Sequence, residues 1–336
     1  MAVLTIVDDT PDGTVPILQY YQNDSDELRK VNAISVYRDT LERAKFFDNI
    51  SYRDICDGWL GSSLIDVFIH YFMRTRNATG SYCFSGEFYH ELMKTRRNGE
   101  DLPFYNVSRW TKDVDIFAHA QVIFPLSTGI HWYLTCFIDV AQCFLSNDEF
   151  KETETEQQRR PYILVLNSME GSEINNDIDE LKSYLIEEWI AKKESVAHTD
   201  KRRRADISKY ANISLTCNHC TSGFTYSIAE QGLGLSQPKH CKQCTDVRKG
   251  ELRQKLQIPI LRPKSPQQEN FFDCGVYCVK NAEQVIEKAP KIGQNGESLT
   301  ENLNDYTQND INEKRESMKE LLTQLIQLYR EKNDTI

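Results

Sequence analysis

Cys274 stands just ahead of an apolar-periodic run, Val276, Val279, Ala282, Val285 and Ile286, that ends at Ala289-Pro290. The spacing predicts a helix whose first turn carries the thiol. The positive end of a helix dipole favours a thiolate and can lower a thiol pKa from about 8.5 toward neutrality, more so beside a histidine. Six residues upstream, Gln268 offers a side-chain amide of the kind that can donate to a developing oxyanion. Taken alone, Cys274 reads more readily as a small core residue, the ordinary fate of an unpaired cysteine.

Two further residues sit at the ends of predicted strands. His131 opens HWYLTCFIDV, and Asn167 closes YILVLN, a run apolar throughout and therefore central in a sheet. QVIFP supplies a third strand beside them.

A second chemistry is spelled by CNHC and CKQC, which place Cys217, Cys220, Cys241 and Cys244 in two tight doublets. Each doublet can offer two thiolates to one tetrahedral zinc ion at about 2.3 Å. A pair of redox or incidental cysteine doublets is the alternative. The segment has little apolar content, so bound metal would be its main source of stability.

The elements that must position these groups are partly legible. Leu64, Ile65, Phe68, Tyr71 and Phe72 fall at helical spacing, with Ser62 or Ser63 available as cap and Trp59 at the amino-terminal end. Phe84–Arg97 reads as a second helix, and Ile174, Ile178, Leu181, Leu185 and Trp189 mark a long amphipathic one. IPIL is a short strand, and Met318, Leu321, Leu322, Leu325 and Leu328 line the face of a last helix after a polar loop, Lys291–Asn309. Ser146–Arg160 has no apolar period and reads as a solvated loop. Before Phe47 the chain suggests a strand at Val15–Tyr20 and a helical, charged stretch near Glu27–Lys45.

The 336 residues carry a formal charge of -10 and are 40% hydrophobic, with no apolar run long enough to span a bilayer. The acidic balance argues against a general nucleic-acid binder; the run Lys201–Arg204 and the cysteine doublets are the one place where nucleic acid could bind. Ten cysteines without a recognisable secretory signal suggest reduced thiols in the nucleus or cytoplasm.

HWYL, VLNSM and PQQENFFDCG, in that order, resemble the Ulp/SENP family of cysteine proteases, in the branch whose catalytic domains carry long insertions. The likeness extends over most of Ser51–Arg330 and includes GWL before the first predicted helix. It implies an α/β, papain-like fold and a thiol peptidase that acts on SUMO-like modifiers and their conjugates. It also implies roles: Cys274 nucleophile, His131 general base, Asn167 orienting the imidazole, Gln268 in the oxyanion hole, Trp59 and Trp132 clamping a flat Gly-Gly tail. No catalytic cofactor is implied. Two positions depart from the family. Asn167 replaces the usual aspartate, so no full charge holds an imidazolium. Gly61-Ser62 replaces an acidic position expected to contact SUMO, which leaves another ubiquitin-like modifier open.

LTCNHCTSGFTYSIAEQ and PKHCKQC resemble a zinc-ribbon module, including Phe224 and the Glu230-Gln231 pair. The expected organisation is an amino-terminal extension at residues 1–48, a discontinuous catalytic domain at 49–195 and 251–332, and the ribbon inserted at 196–250. The chain is expected to act as a monomer. The competing reading is a weakly active or inactive binder of ubiquitin-like proteins that uses the ribbon to reach another macromolecule.

Overall fold

A computed structural model describes residues 4–5, 18–21, 33–36, 58–94, 103–144, 161–169, 175–193, 195–196, 212–227, 237–238, 241–288, 303 and 305–333. Its strands are β1 (Leu4–Thr5), β2 (Leu18–Tyr21), β3 (Ala33–Val36), β4 (Ser81–Cys83), β5 (Gln121–Ser127), β6 (Trp132–Ile138) and β7 (Tyr162–Leu166). They continue with β8 (Ser195–Val196), β9 (Asn212–Thr216), β10 (Gly223–Ser227), β11 (Gln237–Pro238) and β12 (Ile260–Leu261). The helices are α1 (Ser62–Thr75), α2 (Phe88–Met93), α3 (Pro103–Val107), α4 (Asn175–Lys193), α5 (Lys242–Lys255), α6 (Cys274–Lys288) and α7 (Gln308–Asn333).

The centre is a five-stranded sheet in the order β12-β7-β6-β5-β4. Its inner pairs, β7 with β6 and β6 with β5, are antiparallel, and its outer pairs are parallel. Because side chains alternate across a strand, each buried strand feeds two cores. Ile123, Leu134, Cys136, Leu164 and Leu166 face α1, α6 and α7. Val122, Phe124, Tyr133, Phe137, Ile163 and Val165 face the layer of α2, α4 and α5. Continuous apolar runs such as YILVL are what a strand covered on both faces requires. The α/β expectation is met. Among the described residues no helix is long and apolar enough to cross a membrane.

Several boundaries differ from the sequence reading. Helix α1 is capped by Gly61 with no side-chain bond; Ser62 Oγ instead donates to the Glu87 carboxylate. The helix expected at Phe84–Arg97 shrinks to Phe88–Met93, because Phe84 continues the β4 edge, its N–H donating to Ile123 O at 2.9 Å. Within the stretch expected to be helical at Glu27–Lys45, Ala33–Val36 is a strand paired with β2; Ile34 and Val36 are β-branched and favour the ladder. Helix α7 begins at Gln308, inside the expected polar loop. Thr307 and Asp310 form its reciprocal cap, Thr307 N donating to the carboxylate at 2.7 Å and Asp310 N to Thr307 Oγ1 at 3.4 Å. The predicted loop Ser146–Arg160, the run Lys201–Arg204 and the Glu230-Gln231 pair lie outside the described residues.

Helix α5 has no counterpart in the sequence reading. It starts at Cys241, its N-cap, and runs unbroken to Lys255. Leu252 and Leu256 are buried in the second core, beside α4. The chain then passes directly into β12, the sheet edge that pairs with β7.

Candidate active site

Strand β6 begins one residue after His131, and β7 ends one residue before Asn167. Their antiparallel register pairs Leu134 with Leu166, so both residues lie at the same end of the sheet. Helix α6 packs across this end, with the Cys278 thiol 3.6 Å from Tyr133 O. One turn earlier, the Cys274 thiol meets the backbone N–H of Trp132, the residue next to His131. The sheet and one helix start thus bring together three residues spread over almost 150 positions of sequence.

Hydrogen bonding fixes the histidine tautomer. Asn167 Nδ2 donates to Met169 O at 2.7 Å, and Asn167 Oδ1 accepts from Met169 N at 3.1 Å. The amide orientation is therefore set, and its Oδ1, 2.6 Å from His131 Nε2, must be an acceptor there. Nε2 carries the proton. Nδ1 keeps its lone pair; it is buried and makes no hydrogen bond among the described residues. An imidazole held this way is a base waiting for a donor.

Both side chains are buried, His131 at 4% exposure and Cys274 at 2%. Burial pushes the His131 imidazole below its ordinary value, with the Asn167 hydrogen bond opposing. Burial likewise pushes the Cys274 thiol up, against the backbone N–H groups of Trp132 and Gly275 and the guanidinium of Arg315. The lowered thiol expected at a helix start is not found, because loss of hydration outweighs those donors. Both shifts favour a neutral thiol beside a neutral imidazole.

The Asn167 geometry gives a test. Asn167→Asp would put a carboxylate on His131 Nε2, favouring the imidazolium, and would set its second oxygen against Met169 O in place of a donor. The acid limb of kcat/KM should move up by about one pH unit or more, with a lower melting temperature. A pH–rate profile superimposable on that of the wild type would show that residue 167 does not govern the imidazole.

Gln268 is oriented as firmly as Asn167. Its backbone N–H donates to Ser168 O at 2.9 Å, its Oε1 accepts from Ser168 Oγ at 2.9 Å, and its Nε2 donates to Asn270 O at 2.7 Å. A carboxamide nitrogen carries two hydrogens, so a second N–H remains to offer. The indoles are tied to the same frame. Trp132 Nε1 donates to Leu60 O at 3.0 Å and Trp59 Nε1 to Phe271 O at 2.7 Å, both rings half-buried. Leu60 follows Trp59, and Phe271 precedes Cys274 by three residues, so both tryptophans are tied to segments beside Cys274.

Several supporting residues escape a linear reading. Asp273, buried beside Cys274, accepts from Arg315 Nε at 2.8 Å, Asn270 Nδ2 at 2.7 Å and Gln308 Nε2 at 2.9 Å. Arg315 also donates to Gly58 O at 2.9 Å and Phe272 O at 3.2 Å, binding the Trp59 segment to the nucleophile loop. Gly275 is required sterically: a Cβ there would lie 2.8 Å from the Leu60 Cβ. The aspartate in DCG was a visible signal. Its partner, in α7, was not.

At the cysteine cluster, Cys217 follows β9 in a hairpin with β10, and Cys241 caps α5. The four cysteine sulfurs lie within 4.8 Å of one another.

A cysteine at a helix start beside a strand-end histidine whose far nitrogen rests on an amide is the arrangement of a thiol peptidase. The chain belongs to the Ulp1 protease family: the profile of its C-terminal catalytic domain matches residues 58–214 and 239–325. It is 23% identical over 258 residues to ubiquitin-like-specific protease 2 of Schizosaccharomyces pombe, covering 70% of this chain and 32% of that protein. It is 24% identical over 205 residues to sentrin-specific protease 7 of Rattus norvegicus, covering 44% of this chain and 20% of the relative. The chain thus spans a third or less of the relatives it matches. In three dimensions it resembles a crystal structure of a de-sumoylating protease, with a TM-score of 0.56 at 16% identity and 94% of each chain covered. That likeness is one of fold.

Proposed function

We propose that this chain is a thiol isopeptidase that cleaves after the Gly-Gly terminus of a SUMO-like modifier, in precursors or conjugates. The observation that carries the reading is the His131 Nδ1 lone pair, fixed by Asn167 and unpartnered beside the Cys274 helix start. In the proposed step Cys274 Sγ attacks the glycine carbonyl carbon while Nδ1 takes the thiol proton. The oxyanion receives the second Nε2–H of Gln268 and the backbone N–H of Cys274, one of the helix-start donors with no intrahelical partner. Collapse breaks the amide bond and the imidazolium protonates the leaving amine. A water molecule, deprotonated by His131, then attacks the thioester and releases a carboxylate and the free thiol. Trp59 and Trp132 enclose the two glycines, whose lack of side chains lets the tail pass. The names of the relatives support a modifier of the SUMO type. The test is cleavage of a panel of ubiquitin-like fusions ending in Gly-Gly: wild type should cleave one or more and Cys274→Ala none, and equal cleavage by both would sink the mechanism.

The residues at 196–250 are proposed as a zinc-ribbon element inserted between the parts of the catalytic domain at 49–195 and 251–332, with α5 shared between them. Four thiolates at about 2.3 Å from one ion stand about 3.8 Å apart along a tetrahedral edge. The sulfurs of Cys220 and Cys241 are 3.7 Å apart, so the donor set fits zinc. Cys217, Cys220, Cys241 and Cys244 would hold it, and the ion would supply structure, not chemistry. Elemental analysis should give one zinc per chain, and chelation should lower the melting temperature through α5, whose Leu252 and Leu256 lie in the core. A zinc-free chain with unchanged melting would contradict this.

A further inference from the structure

Asp66 lies on the core side of α1 at 5% exposure, where a carboxylate needs a specific reason. Among the described residues its hydrogen bonds go to Ser85 and Gly86, neither of them assigned to the chemistry. Its Oδ2 accepts from Ser85 Oγ at 2.5 Å and its Oδ1 from Gly86 N at 2.7 Å, so both oxygens hold one turn after β4. That turn is the floor under Trp132. A Cβ on Gly86 would stand 2.9 Å from the Cη2 of Trp132 and 3.1 Å from its Cζ3, so the indole lies directly on the glycine. The other edge of the ring is pinned by Nε1 to Leu60 O, and Leu60 in turn packs on Gly275, next to the nucleophile.

We propose that Asp66 is a positioning residue for substrate: by fixing Ser85 and Gly86 it sets the height of the Trp132 indole, and hence the width of the slot that receives the Gly-Gly tail. This rests on the reading of Trp132 as the clamp. Among the described residues no other charged side chain is seen to hydrogen-bond Ser85 or Gly86. Asp66 faces Cys83 of β4 and Cys278 of α6, both held as thiols by burial, and Glu87 on the turn itself. His70, one turn along α1, is kept uncharged by burial, pushed down to about 4. With no cation among the groups that act on it, the carboxyl is raised to about 7 by burial, against its hydrogen bonds from Ser85 and Gly86. The turn is therefore held by a charged acceptor above neutrality and a neutral one below it, and charged acceptors bind an N–H more strongly.

The experiment uses the full chain labelled with 5-fluorotryptophan, whose four resonances are assigned through Trp132→Phe and the other single replacements. In wild type the Trp132 resonance should titrate with a midpoint near 7. Asp66→Asn, which can still accept from Gly86 N and donate to Ser85 Oγ, should abolish the titration while leaving the resonance close to its acid-limit position. Asp66→Ala should displace it at every pH. In steady-state cleavage Asp66→Ala should raise KM about tenfold with kcat changed less than about twofold, and Asp66→Asn should restore most of the loss. A Trp132 resonance that neither titrates in wild type nor moves in Asp66→Ala overturns the proposal. So does a kcat loss without a KM change. The fluorine readout needs no turnover, so a failure of the peptidase reading would show separately, as absent cleavage with the Trp132 shifts intact. If Asp66→Ala does not fold, the wild-type titration and its loss in Asp66→Asn decide alone.

Discussion

Replacing His131 by alanine is expected to lower kcat/KM by about 10³-fold or more, with KM little changed. The magnitude follows from the resting state. Burial holds the Cys274 thiol above its ordinary value, so little thiolate exists near neutral pH without help. In the proposed mechanism the thiol becomes a nucleophile by proton transfer to an adjacent base, and the acceptor is His131 Nδ1, buried and without a hydrogen bond among the described residues. Removing the ring also leaves the departing amine without a proton donor, so both halves of the reaction suffer. The residual rate should rise with pH as hydroxide ionises the thiol. A loss under about tenfold would mean that the thiol ionises by another path and that His131 is an ordinary buried residue.

Arg315→Met is expected to cost about 3–5 kcal/mol of folding free energy, the largest effect foreseen outside the proposed catalytic residues. Both members of the Arg315–Asp273 pair are nearly inaccessible, at 5% and 1% exposure. Methionine would fill the space but leave the Asp273 carboxylate buried with amide donors alone. The carbonyls of Gly58 and Phe272 would lose their donor as well, and with them the tie between the Trp59 segment and the nucleophile loop. Adding Asp273→Asn to Arg315→Met should recover part of the loss, because the orphaned charge is then gone. Chemical denaturation of the two single variants and the double variant measures this. A loss below about 1 kcal/mol for Arg315→Met would place the pair with exposed ion pairs and remove it from the account.

The proposed catalytic set was legible in sequence because each member sits where an element begins or ends. His131 and Asn167 bracket strands whose apolar runs are unambiguous, and Cys274 opens a helix with a clear period. What holds them in place was not readable. Asp66 interrupts the apolar face of α1, and a charge there reads as solvent-facing until Ser85 and Gly86 are seen to meet it. Arg315 looks like one more basic residue on a polar helix, since its partner is 42 positions away. Helix α5 was missed for a related reason: KQCTDVRKGELRQK is polar nearly throughout, and Leu252 with the following Leu256 carries its packing. The thiol pKa was misjudged because a helix start argues for ionisation while the depth of burial, invisible in sequence, argues against it. The cysteine doublets were plain, being local; their attachment to the core through α5 was not.

The most direct test of the central claim is covalent capture of the full chain by a panel of ubiquitin-like proteins whose Gly-Gly termini carry a thiol-reactive group, read by intact mass. The expected result is an adduct with a SUMO-like member, located at Cys274, absent in Cys274→Ala and strongly slowed in His131→Ala. A folded, zinc-loaded chain that binds the modifiers yet forms no adduct with any of them, or forms one that persists in Cys274→Ala, would contradict it.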